Sequence, residues 1–162
     1  IHTPYIICND YMYNELKNIK VPTTIMTNSA ENNGNIFGAV DYLNHKKDII
    51  NTGVKIKEYE GGISYHGKSM TIDDDIAIVG SFNMDMRSAY IDTELMLVIN
   101  SKDINKQLKA SMEEYEKKAA TVKNETEYSH IPEGMKMKEL SDKKKNIKAW
   151  FGWAMNGLRF LF

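Results

Sequence analysis

Four polar side chains near the middle of the chain have the types and spacing of a phosphate site. His66 and Lys68 are separated by one residue, so in a strand with a period of two the imidazole and the ammonium point to the same face. Gly80 frees the backbone just ahead of Ser81 and Asn83, which add a hydroxyl and an amide. We therefore predict one pocket that contains all four side chains.

Two short strands must position this pocket. The segment from His66 to Thr71 alternates in character, and three aspartates at positions 73–75 supply a polar turn. The apolar run Ile76 to Val79 then predicts a buried strand that returns antiparallel to the first. A hairpin of this kind brings the residues after Val79 back beside His66. A further strand is predicted from Glu94 to Ile99.

These residues resemble a known signature. His66-x-Lys68, four further residues and Asp73, and then Gly80-Ser81-x-Asn83, resemble the HKD motif of the phospholipase D superfamily, whose members cleave or exchange phosphodiesters without a metal. The resemblance covers roughly residues 3 to 100. The surrounding residues are similar to the branch of cardiolipin synthases and phosphatidyltransferases, and they comprise Thr27-Asn28-Ser29, Asp85, Arg87, Ser88 and Thr93-Glu94.

The resemblance implies a role for each residue. Lys68 and Asn83, with Ser81, would hold the phosphate, His66 would do covalent or acid work, and Glu94 would orient His66. Asp73 is counted with the catalytic set, and no metal or cofactor is implied. The superfamily uses two copies of the motif across a shared cleft, where one histidine forms a phosphohistidine and the other acts as general acid and then base. If this chain is the carboxyl-side half, His66 is the acid.

A structural interpretation of the same residues is also open. A lone histidine on a strand is more often a packed residue than a catalyst, and three consecutive aspartates can be only a turn. The strand-turn-strand setting, the Gly-Ser-x-Asn continuation and the downstream acid favour the family interpretation. Two functional alternatives remain: a homodimeric nuclease built from two single-motif chains, and a non-catalytic binding half.

The composition of the chain narrows the choice among these functional classes. The 162 residues fit one domain, and the net charge of −1 lacks the basic excess of a non-specific nucleic-acid binder, so nucleic acid is the less favoured partner. The single Cys8 excludes an intramolecular disulfide. No apolar run reaches the roughly 20 residues that span a bilayer. The absence of a starting methionine suggests a piece of a longer protein.

The rest of the pattern predicts an α/β fold, a mixed β-sheet flanked by helices, which is the fold of a phospholipase D-like half domain. We expect a phospholipase D-like domain over residues 1–120 and, over residues 121–162, a polar connection followed by an amphipathic helix. The lysines and aromatic residues of the tail suit either docking on the domain or an interfacial membrane helix, and we favour docking.

The expected function is that of the carboxyl-side half of a phosphatidyltransferase or phospholipase that acts on a phospholipid. The acceptor, water or an alcohol, is left open. The expected partners are a companion half in the same parent chain, or a homodimer partner, and peripheral contact with the cytoplasmic face of a bacterial membrane.

Overall fold

The computed structural model describes residues 1–154, 159 and 161, without the side chains of residues 152–154. The helices are α1 Asp10–Asn18, α2 Ile36–Ile50, α3 Met86–Tyr90, α4 Lys102–Glu116 and α5 Asp142–Ala154. The strands are β1 Ile6–Ile7, β2 Thr24–Asn28, β3 Lys55–Tyr59, β4 Ser69–Ile72, β5 Ile76–Gly80, β6 Met84–Asp85, β7 Met96–Asn100, β8 Ala119–Val122 and β9 Tyr128–His130.

The strands form two larger sheets that the amino-terminal segment joins. One has the order β2-β3-β8-β9, with β2 and β3 parallel, and the other is the antiparallel set β4-β5-β7. His2 lies between them: its N–H donates to the Ser69 carbonyl at 2.8 Å, while the Thr3 N–H donates to the Met26 carbonyl at 3.0 Å. The result is a continuous mixed sheet, and the predicted fold class is confirmed.

Helices cover both faces of this sheet, but not completely. On one face α1 and α2 pack on β2 and β3, with Tyr13, Tyr42 and Ile49 in the main core. On the other face α4 places Tyr115 against Tyr65, with ring centroids 4.7 Å apart. Helix α4 packs on one face of β4, β5 and β7. On the opposite face Ile72 is 44% exposed and Val98 is 61% exposed. That uncovered face lies next to the candidate site.

A buried carboxylate links α2 to two strands. Glu58 on β3 accepts hydrogen bonds from the hydroxyls of Tyr42 at 2.6 Å and Tyr128 at 2.5 Å. The Lys46 ammonium lies 2.7 Å from the same carboxylate, and both ionic side chains are almost fully buried. Each buried charge therefore has a charged partner and hydrogen bonds, which is the condition for a buried ion pair to be tolerated.

The first part of the polar connection predicted after residue 120, residues 121–130, is not a plain loop. This segment forms the end of β8 and all of β9, an antiparallel pair at the edge of the sheet, and the proposed domain boundary at residue 120 falls within β8. The composition is polar because an edge strand keeps one face in water. The hydroxyl of Tyr128 nevertheless reaches the buried Glu58.

The carboxyl-terminal helix docks on the domain, as we favoured. Phe151 is buried and its ring lies 5.0 Å from that of Phe37 on α2. The buried Lys144 ammonium donates to three backbone carbonyls, those of Ala30, Glu31 and Asn33. No described helix is long and apolar enough to cross a membrane. The Trp153 side chain and residues Met155, Leu158, Phe160 and Phe162 of the predicted apolar tail lie outside the described residues.

We predict that Lys46→Met destabilises the fold by about 3 kcal/mol, because it leaves the Glu58 charge buried without its cation. The measurement is the free energy of unfolding from urea titration. Lys117→Met is the matched control, since the Lys117–Glu114 pair is two-thirds exposed and such pairs contribute about 0 to 1 kcal/mol. Equal losses in the two variants would contradict the importance assigned to the buried pair.

Candidate active site

His66 and Lys68 contact each other just before β4 begins. The Lys68 ammonium lies 2.9 Å from Nδ1 of His66 and 3.0 Å from the His66 carbonyl. It also lies 3.5 Å from Nε2, and an ammonium can only donate to a ring nitrogen. Lys68 is fixed in turn by its carbonyl, which accepts from the Gly80 N–H at 3.2 Å. The two side chains therefore share one side of the chain, although β4 starts only at Ser69.

Both groups have perturbed acidity. Burial lowers the pKa of His66, and the adjacent Lys68 charge lowers it further. Burial also lowers the pKa of Lys68, while the carboxylates of Glu94 and Asp85 act to raise it. Since a lowered pKa extends the neutral form of an imidazole toward lower pH, unliganded His66 is neutral over a wider range than an ordinary histidine.

Asn83 lies across a shared rim from His66. His66 lines a cavity of about 360 Å³, and Asn83 lines a second one of about 190 Å³. Tyr5 and Asn35 belong to the walls of both cavities, so the two spaces adjoin. The Asn83 Oδ1 atom is buried and has no hydrogen-bond partner within the described part of the chain. Because Oδ1 can only accept a hydrogen bond, the Nδ2 group is the donor that Asn83 can offer to a phosphate oxygen.

Gly80 explains how the chain reaches this position. A Cβ atom at Gly80 would lie 2.1 Å from the Leu95 carbonyl oxygen, so no other residue fits where β5 meets β7. The chain then turns through Ser81 to Asn83, whose N–H donates to the Ser88 hydroxyl at 3.2 Å. The glycine that the sequence marked as a source of backbone freedom acts here by allowing close approach.

Glu94 and Ser81 contact each other instead of His66. The hydroxyls of Ser81 and Ser88 both donate to the Glu94 carboxylate, the latter at 2.8 Å, and Ser81 also accepts from the Leu95 N–H at 3.0 Å. Among the described residues Glu94 makes no hydrogen bond to His66, so its role in orienting that ring stays a prediction. Its negative charge acts on the neighbouring Lys68.

Asp73 lies away from the other candidates. It occupies the turn between β4 and β5 with a φ of 49°, and its carbonyl accepts from Lys109 at 3.1 Å. The strand that separates it from Lys68 has four residues, or about 13 Å at the usual rise per residue. The structure thus places Asp73 in the hairpin turn, apart from His66 and Lys68, and its assignment to the catalytic set stays a prediction.

The structure adds residues that the motif did not include in the site. Asp85 is buried, accepts from the Ser88 N–H at 2.5 Å and lines the Asn83 cavity. Burial raises the pKa of Asp85 and also that of Tyr5, which interacts with it. The resemblance of Asp85, Arg87 and Ser88 to the family pattern had already pointed to Asp85 as a residue near the site. Tyr5 and Asn35 stand in no such pattern, and only the fold brings them to the rim.

We predict that Lys68→Met raises the pKa of His66 toward its ordinary value, because the neighbouring positive charge is removed. NMR titration of the histidine ring measures this pKa. Lys109→Met is the control, since Lys109 binds at the opposite end of the hairpin and is expected to leave His66 unchanged. An unchanged His66 pKa in Lys68→Met would contradict the observed contact.

Comparisons with known proteins show the family of this chain. The family described as cardiolipin synthase, PLD-like domain, matches residues 1–115. Cardiolipin synthase 1 of Staphylococcus epidermidis is 30% identical over 142 residues, which is 86% of this chain and 28% of that protein. Cardiolipin synthase A of Yersinia pseudotuberculosis is 35% identical over 78 residues, or 48% of this chain and 16% of that protein. The chain thus spans less than a third of these relatives.

Solved structures share the fold. Phosphatidylserine synthase of Haemophilus influenzae matches with a TM-score of 0.71 at 16% identity, covering 100% of this chain and 41% of that one. Nuc of Salmonella typhimurium, a phospholipase D family member, matches with a TM-score of 0.58 at 18% identity. The match covers 75% of this chain and 78% of Nuc. Taken with the family match and the adjoining cavities at His66 and Asn83, these likenesses place the chain in the phospholipase D superfamily, as a member of the cardiolipin synthase PLD-like domain family.

Proposed function

We propose that the chain is the carboxyl-side catalytic half of a cardiolipin synthase-like phosphatidyltransferase or phospholipase. The observation that carries the proposal is the contact of His66 with Lys68 at a rim shared with the Asn83 cavity. A phosphodiester resists attack because its oxygens are charged, so a metal-independent site needs cationic and amide donors beside a histidine. This rim offers all three groups.

In the proposed reaction a histidine of the companion half attacks phosphorus and forms a phosphohistidine. The bond from phosphorus to the leaving oxygen breaks, and His66 gives that oxygen its proton. His66 then takes a proton from an incoming alcohol or water, whose oxygen attacks phosphorus and releases the first histidine. Lys68 and Asn83 hold the non-bridging oxygens throughout.

The acidity of His66 fits the acid role. Burial and Lys68 hold its pKa low in the free site, which makes its protonated form a stronger acid. A bound phosphodiester brings a negative charge beside the ring. That charge raises the pKa of His66 and favours its protonated form. The substrate would therefore supply the acid form at the moment when it is needed.

The uncovered face of the hairpin sheet supports a companion half. Five apolar side chains, none of them buried, lie on this open face: Met70, Ile72, Ile76, Ile78 and Val98. Lys68 precedes Met70 by two residues and so continues the same row. An exposed apolar face of this kind marks an interaction surface. A second half docked there would bring its own histidine to the rim beside Lys68.

The alternative is a nuclease made of two identical chains. It is favoured by the similarity to Nuc of Salmonella typhimurium, of which this chain covers 78%, compared with 28% of a cardiolipin synthase. Against it stand the net charge of −1 and the family match to cardiolipin synthases. A non-catalytic half is the third possibility, and it is separated from the others by turnover alone.

A phospholipid substrate at the inner face of a bacterial membrane fits the exposed side of α5. Lys143, Lys145 and Lys148 are exposed there, and Trp150 is 71% exposed. Each lysine near an anionic surface adds about 1 kcal/mol of attraction. Peripheral contact of this kind is compatible with docking, because Lys144 and Phe151 face the domain.

We predict that the isolated chain has little or no phosphodiesterase activity, because it supplies one motif histidine where the mechanism needs two. Sedimentation and turnover of a generic diester measure this. Addition of the amino-side half of the parent protein is expected to restore turnover, and His66→Ala is expected to abolish it. A two-fold dimer of this chain that cleaves DNA alone would establish the nuclease instead.

We predict that the parent protein converts phosphatidylglycerol to a diphosphatidyl lipid and leaves DNA intact. The assay incubates the protein separately with phosphatidylglycerol vesicles and with DNA, using His66→Ala as the inactive control and Lys109→Met as a surface control. Phosphatidic acid alone would indicate a hydrolase, and DNA cleavage without lipid turnover would overturn the proposed substrate class.

A further inference from the structure

Asn28, at the end of β2, makes an unusual set of contacts. Its side chain is 1% exposed and forms four hydrogen bonds. Oδ1 accepts from the Tyr65 N–H at 2.8 Å, and Nδ2 donates to the Tyr65 carbonyl at 2.8 Å. The same amide donates to the Pro4 carbonyl at 2.8 Å and accepts from Asn32 at 3.1 Å. One side chain thus binds both backbone groups of Tyr65.

The segment that Asn28 holds has no strand partner of its own. Residues 60–68 lie between β3 and β4 outside any helix or strand. A strand neighbour would normally satisfy an N–H and a carbonyl of the same residue, because buried backbone groups must be paired. At Tyr65 the amide of Asn28 provides both bonds. This replaces a missing strand at the residue immediately before His66.

The side chain of Tyr65 is fixed as well. Its ring packs between Tyr59 and Tyr115, and its hydroxyl lies 3.2 Å from Nδ1 of the buried His2. With both the backbone and the ring of Tyr65 held, the direction in which the chain leaves toward His66 is set. Lys68 then continues into β4 through its hydrogen bond to Gly80.

We infer that Asn28 is a positioning residue that places the His66 imidazole at the rim of the cavity beside Lys68. It acts through Tyr65 and does not touch the reacting atoms. The consequence for turnover rests on the proposed function, whereas the effect on the place and acidity of the ring does not.

A purely structural role for Asn28 would give a different result. Loss of a buried amide destabilises a fold wherever it occurs, so lower stability alone does not test the inference. Asn32 provides the matched control. It is also buried, lies four residues along the chain and bonds to Asn28, Ile63 and Gly62, but it makes no bond to Tyr65.

The experiment compares Asn28→Ala with Asn32→Ala in the full 162-residue chain. Two quantities are measured well below both unfolding midpoints: amide exchange at Tyr65, and the His66 pKa from NMR of isotope-labelled histidine, with the signal assigned by His66→Gln. In Asn28→Ala the Tyr65 amide is expected to exchange about tenfold faster or more, as one lost buried hydrogen bond implies. The His66 pKa is expected to rise toward its ordinary value, because a displaced ring loses the desolvation and the Lys68 charge that lower its pKa.

Asn32→Ala removes one bond to the Asn28 amide but none to Tyr65, so it is expected to change both quantities less than Asn28→Ala does. Equal changes in the two variants, or an unchanged His66 pKa in Asn28→Ala, would overturn the inference. If Asn28→Ala does not fold, Asn28→Ser carries the same comparison, since a hydroxyl has one proton and cannot make both donations of the Asn28 amide, to the Pro4 and Tyr65 carbonyls.

In the active assembly Asn28→Ala is expected to lower kcat on the order of 10- to 100-fold with little change in KM, as for a misplaced catalytic group. An unchanged kcat in an active assembly would also overturn the inference. If the wild-type assembly shows no phosphodiester turnover, the proposed function fails, while the NMR comparison still decides the position of His66.

Discussion

The backbone hydrogen bonds on either side of His2 hold the two parts of the sheet together. On one side the segment pairs with β2 through Met26, and on the other with Ser69 at the start of β4. The His2 side chain extends this junction, with Nε2 at 3.1 Å from Glu116 on α4. Its hydrogen bond to Glu116 is the largest cause that lowers the pKa of that carboxyl to about 2, with Lys57 contributing as well.

The candidate site depends on this junction because its parts come from both sides. Asn28 ends β2 and Asn35 comes after it, whereas His66, Lys68 and Asn83 flank the strands of the hairpin sheet. A shift of one sheet relative to the other would separate the Asn28 amide from Tyr65. Buried, fully paired networks have discrete arrangements, so such a junction fixes a register as well as adding stability.

The sequence predicted the elements with strong local signals. Alternation around Lys68 and the apolar run of β5 identified the hairpin, because a buried face imposes its period on the chain. The sequence failed where tertiary contacts decide. Asp73 belongs to the motif by spacing, yet a strand separates it from His66. Ser81 and Ser88 bind Glu94, a contact that the spacing did not indicate, while the role of Glu94 at His66 stays a prediction. Asn28 was noted only as part of a resemblance. No local sequence pattern predicts which backbone groups, far along the chain, a buried amide side chain will bind.

The open face next to Lys68 connects assembly to chemistry in the proposed enzyme. In the single chain His66 and Lys68 are partly exposed, and water screens the attraction between these groups and a phosphate. A partner on Met70, Ile78 and Val98 would bury apolar surface and at the same time exclude water from the adjacent rim. The same docking that supplies a second histidine would therefore strengthen the electrostatic hold of Lys68 and Asn83 on the phosphate. A half that is stable alone but reactive only when paired confines nucleophilic chemistry to the complete site.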